Sequence, residues 1–382
     1  MNFLDERVEM EKFFSLGLGK IHSEKGEVRA FLPPFIEKMS RCFSDIVIEE
    51  GYGEDMGIPQ DSYLQPGNIR FASVEEIYAQ DFVLVLRYPG EKYLDLMPSG
   101  SCLISMCHFS TRPKRREYLR SRGIEAISLD SIQDDNGQRL VENLSAVAWN
   151  GCEIAFKVMQ KLMRDPKLDS PQRAPIKITL LGSGGVGTLA VQAAIRYGAP
   201  QLWQSLAKNH VPGNIVQVVD YDLTYHQPYI RKLLPATNLL IDATQRKNPA
   251  QIIIPNSFLE LLPDNAIILD LSVDPYDFSS KPHEVKGLEG IPQGDLDQYI
   301  FSPDDPTWDA LPDQINTTNR RWVVSCYSWP GIHPRACMLR YGIQLSPLLR
   351  RLASGGGIDG IHPGGRYRER AIARGMLRYW PE

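Results

Sequence analysis

The chain has no apolar stretch approaching the ~20 residues needed to span a bilayer. Its N-terminus also lacks the pattern of a secretory leader, because Asp5, Glu6, Arg7, Glu9 and Glu11 interrupt every apolar run there. Cysteine is scarce, six in 382 residues and scattered, so reduced thiols and a cytoplasmic protein are the expectation. Cys102, Cys107 and His108 lie close together, yet a Cys-x4-Cys spacing without a second cluster reads as buried core cysteines, and no metal is expected. Positive charge is not in excess either. Lys and Arg number 42 against 46 Asp and Glu, a net charge of −4, which gives no reason to expect nucleic acid or an acidic membrane surface as partner. The densest basic run, Arg112-Pro-Lys114-Arg115-Arg116, reads as the solvated first turn of a surface helix.

What is present is length enough for two cores and a repeated alternation of short apolar runs with helical segments. In the first half the expected strands are Val28 to Leu32, Asp45 to Glu49, Phe82 to Leu86, Ser101 to Cys107 and Ala126 to Leu129; in the second they are Ile176 to Leu181, Ile215 to Asp220, Asn238 to Ile241, Ile267 to Leu271 and Trp322 to Cys326. Such alternation implies parallel sheets covered by helices on both faces. Long helical patterns run from Leu140 to Met163 and from Pro334 to Leu352, with a final helix at Arg368 to Tyr379. The expected architecture is therefore α/β: two Rossmann-like doubly wound domains with a cleft between them, bridged by the two long helices. Residues 1–144 with 330–382 form the substrate domain, and 145–329 the dinucleotide domain.

One motif stands out. Lys177-Ile-Thr-Leu-Leu-Gly182-Ser-Gly184-Gly185-Val186-Gly187-Thr reads as strand, tight turn and helix. The first glycine permits the turn, the second lets a pyrophosphate approach the backbone, and the third lets helix and strand pack closely. Gly182, Gly184, Gly185, Val186 and Gly187 are thus candidate cofactor contacts. An acidic residue at the end of the next strand would take the adenosine ribose hydroxyls and repel a 2′-phosphate. The first carboxylate available is Asp220, beyond the usual ~20-residue interval, which requires an insertion around Ala199 to Gly213. If Asp220 has that role rather than being a surface turn residue with Asp222, NAD is favoured over NADP. Asp242 lies near the nucleotide by the same strand-end logic, with Thr244 an equal candidate, and His333 reads as equally well structural.

Glycines bind a dinucleotide but do no chemistry, so reacting groups must come from elsewhere. Gly26-Glu-Val-Arg29-Ala-Phe-Leu-Pro33, Glu49-Glu-Gly-Tyr-Gly53 with Gly57-Ile-Pro-Gln-Asp61-Ser-Tyr63, Val83-Leu-Val-Leu-Arg87-Tyr-Pro89, Ser105-Met-Cys-His108-Phe, the glycine turn, Leu269-Asp-Leu-Ser-Val-Asp274 and Ser328-Trp-Pro-Gly-Ile-His-Pro334 follow one another in order. Together they resemble the alanine dehydrogenase and pyridine nucleotide transhydrogenase family, with saccharopine dehydrogenase and carboxyethyl-ornithine synthase as more distant relatives. The resemblance runs from about Gly26 to about Leu349 and implies two Rossmann-like domains with substrate in the cleft. It also implies a substrate carboxylate held by Arg29, an active-site histidine at His108, an aspartate beside the nicotinamide at Asp274, and a dimer or hexamer.

Physical chemistry gives these residues matching roles. Arg29 can hold a carboxylate through a two-toothed bond, or pair with Glu27 or Glu49. Histidine is the residue type suited to moving a proton at a carbonyl or imine, and His108 can take that role. Asp274 can assist at a substrate nitrogen, or cap the turn before Pro275. Arg87 departs from the family, which carries a substrate-binding lysine there; an arginine stays charged and cannot transfer a proton. The expected activity is NAD-dependent interconversion of an amino acid, or an N-substituted amino acid, with its 2-oxo acid or imine by hydride transfer, in a homo-oligomer with a small-molecule substrate. Reductive condensation of an amino acid with an oxo acid is the alternative that Arg87 keeps open. A non-catalytic NAD(H)-binding sensor or scaffold is the alternative of another class.

Overall fold

The computed structural model describes residues 14–64 and 66–381. The N-terminal charges Asp5, Glu6, Arg7, Glu9 and Glu11 lie outside the described residues. The chain divides into two compact units, Met1–Asn143 with His333–Glu382, and Leu144–Ile332.

The first unit is built on six parallel strands: β1 (Ser15–Leu18), β2 (Asp45–Glu49), β3 (Ile69–Ala72), β4 (Phe82–Arg87), β5 (Cys102–Met106) and β6 (Glu125–Ser128), in the order β3-β2-β1-β4-β5-β6. Phe82, Leu84 and Leu86 of β4 enter the core on one face, and Val83 and Val85 enter the core on the other. That is why β4 reads as an unbroken apolar run rather than an alternating one. The helix Pro334–Ser354 packs against the helices Pro33–Ser40 and Tyr367–Gly375.

Val28–Leu32, expected as the first strand, joins no sheet. Its backbone is held by side chains instead: the Phe31 N–H donates to Tyr52 Oη at 2.9 Å, and Tyr63 Oη donates to the Phe31 carbonyl at 3.1 Å. Pro33 and Pro34 then open a helix. The place in the sheet belongs to β1, Ser-Leu-Gly-Leu followed by Gly19, a text that reads as a breaker. Gly17 is there because a Cβ would fall 2.2 Å from the Ile77 carbonyl oxygen, where the helix Val74–Tyr78 crosses.

The second unit repeats the plan with β7 (Ile176–Leu181), β8 (Asn214–Val219), β9 (Leu239–Asp242), β10 (Ile267–Asp270), β11 (Ile300–Phe301) and β12 (Trp322–Ser325), in the order β11-β12-β10-β9-β7-β8. All pairs are parallel except β11 with β12. Ile267 and Leu269 of β10 join one core and Ile268 joins the other, so this sheet too is covered on both faces. The long helix of this unit begins at Leu144, not Leu140, and ends at Leu162; it packs on the helix Gly185–Ile195 and on β10. The two-residue β11 went unforeseen in the polar stretch Ser279 to Asn319. Each unit is a doubly wound α/β domain of Rossmann type.

Candidate active site

In the second unit β7 runs into the glycine turn, and each glycine there answers a different steric demand. Gly182 has φ of 86°, and a Cβ on it would lie 2.8 Å from the Ala243 carbonyl oxygen. A Cβ on Gly187 would lie 2.0 Å from the Gly182 carbonyl oxygen, so helix and strand meet there with no room to spare. Gly184 faces open space, with no atom within 4 Å of its Cβ position. The helix Gly185–Ile195 begins at this point without a side-chain cap, which leaves the N–H groups of its first turn available to an anion. Val186 is partly buried against the core, and a Cβ on Gly185 would touch Leu144 at 3.0 Å.

Asp220 follows β8, the strand beside β7, and is exposed. Its Oδ1 accepts the Ser183 N–H at 3.3 Å. The Ser183 side chain and the Tyr221 N–H hold its carboxyl below the usual range. The helix Pro200–Lys208, lying between the glycine-turn helix and β8, accounts for the long interval from Gly182.

Asp242 ends β9 and is buried. Its Oδ1 accepts the Thr244 hydroxyl at 2.7 Å and the Thr244 N–H at 3.0 Å, and burial followed by the charge of Asp270 pushes its carboxyl up to about 6. Asp242 and Thr244, read as competing candidates, are thus hydrogen-bonded partners. Asp270 ends β10 beside it. There Asp270 meets Lys286 at 2.6 Å, both side chains 1% exposed, and it accepts the Ser325 and Ser272 hydroxyls, each at 2.9 Å. Burial would raise the Asp270 carboxyl, but Lys286 outweighs it and the net direction is down.

Asp274 lies just beyond, after Val273, which has the uncommon φ of 59°. Its Oδ2 accepts Arg246 Nη2 at 2.8 Å. Burial raises its carboxyl and Arg246 opposes this without cancelling it. Arg246 also donates to the carbonyls of Pro249, Gln251 and Val285, while its buried Nε finds no partner among the described residues. Neither Arg246 nor Lys286 was foreseen. Arg246 sits in a polar loop, Thr244-Gln-Arg-Lys-Asn, and Lys286 in a stretch with no period; only their partners mark them out.

In the first unit the strand order reverses direction between β1 and β4, and the loops leaving the carboxyl ends of those strands carry the charged groups, as open α/β sheets do at their switch points. Arg29, in the loop after β1, is 6% exposed. Its Nε donates to Glu27 Oε1 at 2.8 Å, Nη2 donates to Glu27 Oε2, and Nη1 reaches Cys337 Sγ at 3.7 Å. Burial would weaken the guanidinium as a base, but Glu27 more than compensates and drives its pKa up. Arg87, at the end of β4, is less enclosed. Its Nε donates to Glu24 Oε1 at 2.6 Å and Nη2 to the same oxygen, whereas Nη1 bonds nothing among the described residues.

His108 follows β5 with φ of 54°, again uncommon for a residue with a side chain. Its N–H donates to Asp130 Oδ1 at 3.0 Å, and its Nδ1 lies 3.5 Å from Asp130 Oδ2. Asp130 comes from the turn after β6 and is buried, with the Ser128 hydroxyl on Oδ1 at 2.8 Å. Burial works against its charge, but His108 and Ser128 hold the carboxyl down to about 2. The histidine ring is 41% exposed on a carboxylate 6% exposed, the arrangement of a proton carrier and the group that orients it. Sequence reading found the histidine and missed Asp130, which sits in an unremarkable Ser-Leu-Asp-Ser run.

Residues 23–148 match the family model described as alanine dehydrogenase/PNT, N-terminal domain. This stretch is similar to the N-terminal domain of that family. It contains Arg29, Arg87, His108 and Asp130. Among curated proteins, the alanine dehydrogenase of Bacillus subtilis is 22% identical over 161 residues, 40% of this chain and 42% of its own length. That of Methanococcus maripaludis is 22% identical over 176 residues, 44% and 47% of the two lengths. The matched part of the chain therefore spans less than half the length of these relatives. Among solved structures, an L-alanine dehydrogenase superposes with a TM-score of 0.69 at 18% identity, covering 95% of this chain and 94% of its own. The transhydrogenase from Sinorhizobium meliloti gives 0.62 at 15% identity, covering 89% and 94%. These likenesses extend the shared fold to both units. Among the described residues no helix is long and apolar enough to cross a membrane.

Proposed function

We propose that the chain is an oxidoreductase of the alanine dehydrogenase type that uses a nicotinamide dinucleotide to interconvert an amino acid, or an N-substituted amino acid, with a 2-oxo acid or imine. The observation that carries this reading is the approach of the His108 ring to Asp130, Nδ1 to Oδ2 at 3.5 Å, at the carboxyl end of β5, in a chain whose other unit bears an uncapped glycine-turn helix. A passive nucleotide binder needs the second feature and has no use for the first.

Gly182, Gly184 and Gly187 with the N-terminus of the helix Gly185–Ile195 would hold the pyrophosphate, and Asp220 the adenosine ribose, which favours NAD over NADP. The dinucleotide, when bound, supplies or accepts the hydride. His108 moves a proton at the substrate oxygen or nitrogen, with Asp130 fixing its ring and stabilising the imidazolium. Arg87 offers Nη1 to a carboxylate, and Arg29, its fork taken and its charge balanced by Glu27, would hold a carboxylate only by giving up that partner. Asp274, aimed by Arg246, assists at the substrate nitrogen.

An opine- or saccharopine-type condensation of an amino acid with a 2-oxo acid is the second reading. It is favoured by the Arg87–Glu24 pair, which presents both charges where a zwitterionic amino acid could dock. The family likeness further implies a cytoplasmic homo-oligomer, which remains part of this proposal. The test is NADH oxidation against a panel of 2-oxo acids with ammonia or with amino acids. Turnover with ammonia selects the dehydrogenase, turnover only with an amino acid selects the condensing enzyme, and tight NADH binding without turnover refutes both.

A further inference from the structure

The loop after β1 carries a second histidine–carboxylate pair that the reading above does not use. His22 Nε2 lies 2.6 Å from Glu49 Oε1, and Glu49, at the end of β2 and 7% exposed, also accepts the Lys20 N–H on Oε2 at 2.7 Å. A carboxylate can only accept, so Nε2 carries the proton in this bond, and in the neutral ring the lone pair lies on Nδ1. Nδ1 has no partner among the described residues, and the ring is 31% exposed. The ring stacks on Tyr93, which follows β4, with centroids 5.1 Å apart. His22 thus spans the ends of β1, β2 and β4, at the switch point of the sheet. The charged and titratable groups around it are Glu49 behind, Tyr93 with Lys92 over its ring and Tyr78 beneath it, and, two residues along the chain, Glu24 with Arg87.

Joining nitrogen to a carbonyl carbon requires the amine as a free base, while ammonium is the form that dominates in neutral water. A proton must leave that nitrogen within the site. Arg87 cannot take it. Resting on the function proposed above, we infer that His22, oriented by Glu49, is a second proton-transfer residue of the first unit, serving the incoming amine. An N–H bond of the ammonium breaks, its electron pair stays on nitrogen to attack the carbonyl carbon, and the proton passes to Nδ1, from which the partly exposed ring returns it to water. His108 remains responsible for the proton at the departing oxygen.

The test uses the full-length protein and whichever amine and 2-oxo acid the unaltered enzyme turns over. His22→Gln, whose amide can still donate to Glu49, lowers kcat by about 100-fold or more, the scale of a lost general base. NADH affinity stays within about twofold. The deficit shrinks as pH rises toward the pKa of the amine, because solution then supplies the free base, and added imidazole restores part of the rate to His22→Ala. Glu49→Gln keeps the ring in place and changes the pH profile of kcat/KM. If His22→Gln does not fold, an unchanged profile in Glu49→Gln overturns the assignment. Turnover within threefold of normal in folded His22→Gln, or a deficit independent of pH, overturns it while leaving the proposed function intact. An unaltered enzyme inert toward every pair overturns both.

Discussion

Replacing Lys286 by methionine tests how the carboxyl ends of β9 and β10 are held together. Lys286 and Asp270 are each 1% exposed and meet at 2.6 Å, so removing the cation leaves a charge that water cannot reach. Breaking such a pair from one side costs about 3–5 kcal/mol. Asp270 keeps the hydroxyls of Ser272 and Ser325 and the N–H groups of Ser272 and Val273, so the lower end, about 3 kcal/mol, is expected. In a unit of this size that is a fall in Tm of about 6–12 °C. The pH dependence has a definite sign. In the unaltered protein the Asp270 carboxyl is depressed, so its stabilisation is present above the unfolded value near 4 and is lost as pH falls through the folded one. In Lys286→Met burial raises the same carboxyl, and the variant loses stability as pH rises from about 4 toward neutrality. The gap between the two proteins therefore widens from acid to pH 7, and adding Asp270→Asn closes much of it. Urea unfolding followed by tryptophan fluorescence at several pH values measures this. A gap below about 1 kcal/mol at pH 7, or one flat with pH, would refute the reasoning.

The glycines separate binding from folding: Gly184→Ala keeps Tm within a few degrees while NADH affinity falls at least tenfold by titration calorimetry, whereas Gly187→Ala lowers Tm because its methyl group has only 2.0 Å to the Gly182 carbonyl oxygen. Asp220→Ser narrows or reverses the preference for NADH over NADPH, read as the ratio of dissociation constants, since it removes the charge that opposes a 2′-phosphate. Asp130→Asn lowers kcat by about 10–1000-fold with NADH affinity unchanged, because the amide neither stabilises the His108 imidazolium nor fixes its tautomer; equal losses in both would make the pair structural. Arg87→Lys raises KM for the oxo acid at least fivefold in steady-state kinetics, as one point charge cannot bond Glu24 and a carboxylate together as a guanidinium can.

The two-domain doubly wound architecture was legible because buried parallel strands announce themselves as short apolar runs, and most lie within a residue or two of where they were read. What escaped notice has physical causes. β1 contains a glycine that a crossing helix demands, so its text looks like a loop, while the apolar residues of Val28–Leu32 serve packing and the segment joins no sheet. At the site, His108 and the glycine turn carry signals of residue type and spacing. Their partners do not. Asp130, Lys286 and Arg246 matter only through side chains that reach them from other strand ends, and no local pattern in one chain encodes such a meeting; Glu49 was read as a partner for Arg29 but meets His22 instead. The Arg29–Glu27 pair was foreseen as a competitor to substrate binding, but that it occupies two guanidinium nitrogens at once needed coordinates.

The most direct test of the central claim is NADH oxidation by the purified full-length chain, followed at 340 nm, against 2-oxo acids supplied with ammonia or with amino acids, in parallel with the Asp130→Asn and His108→Ala variants. The account predicts turnover with at least one such pair, suppressed in both variants while their NADH binding persists. Tight NADH binding with no turnover across the panel, or variants as active as the unaltered chain, would contradict it.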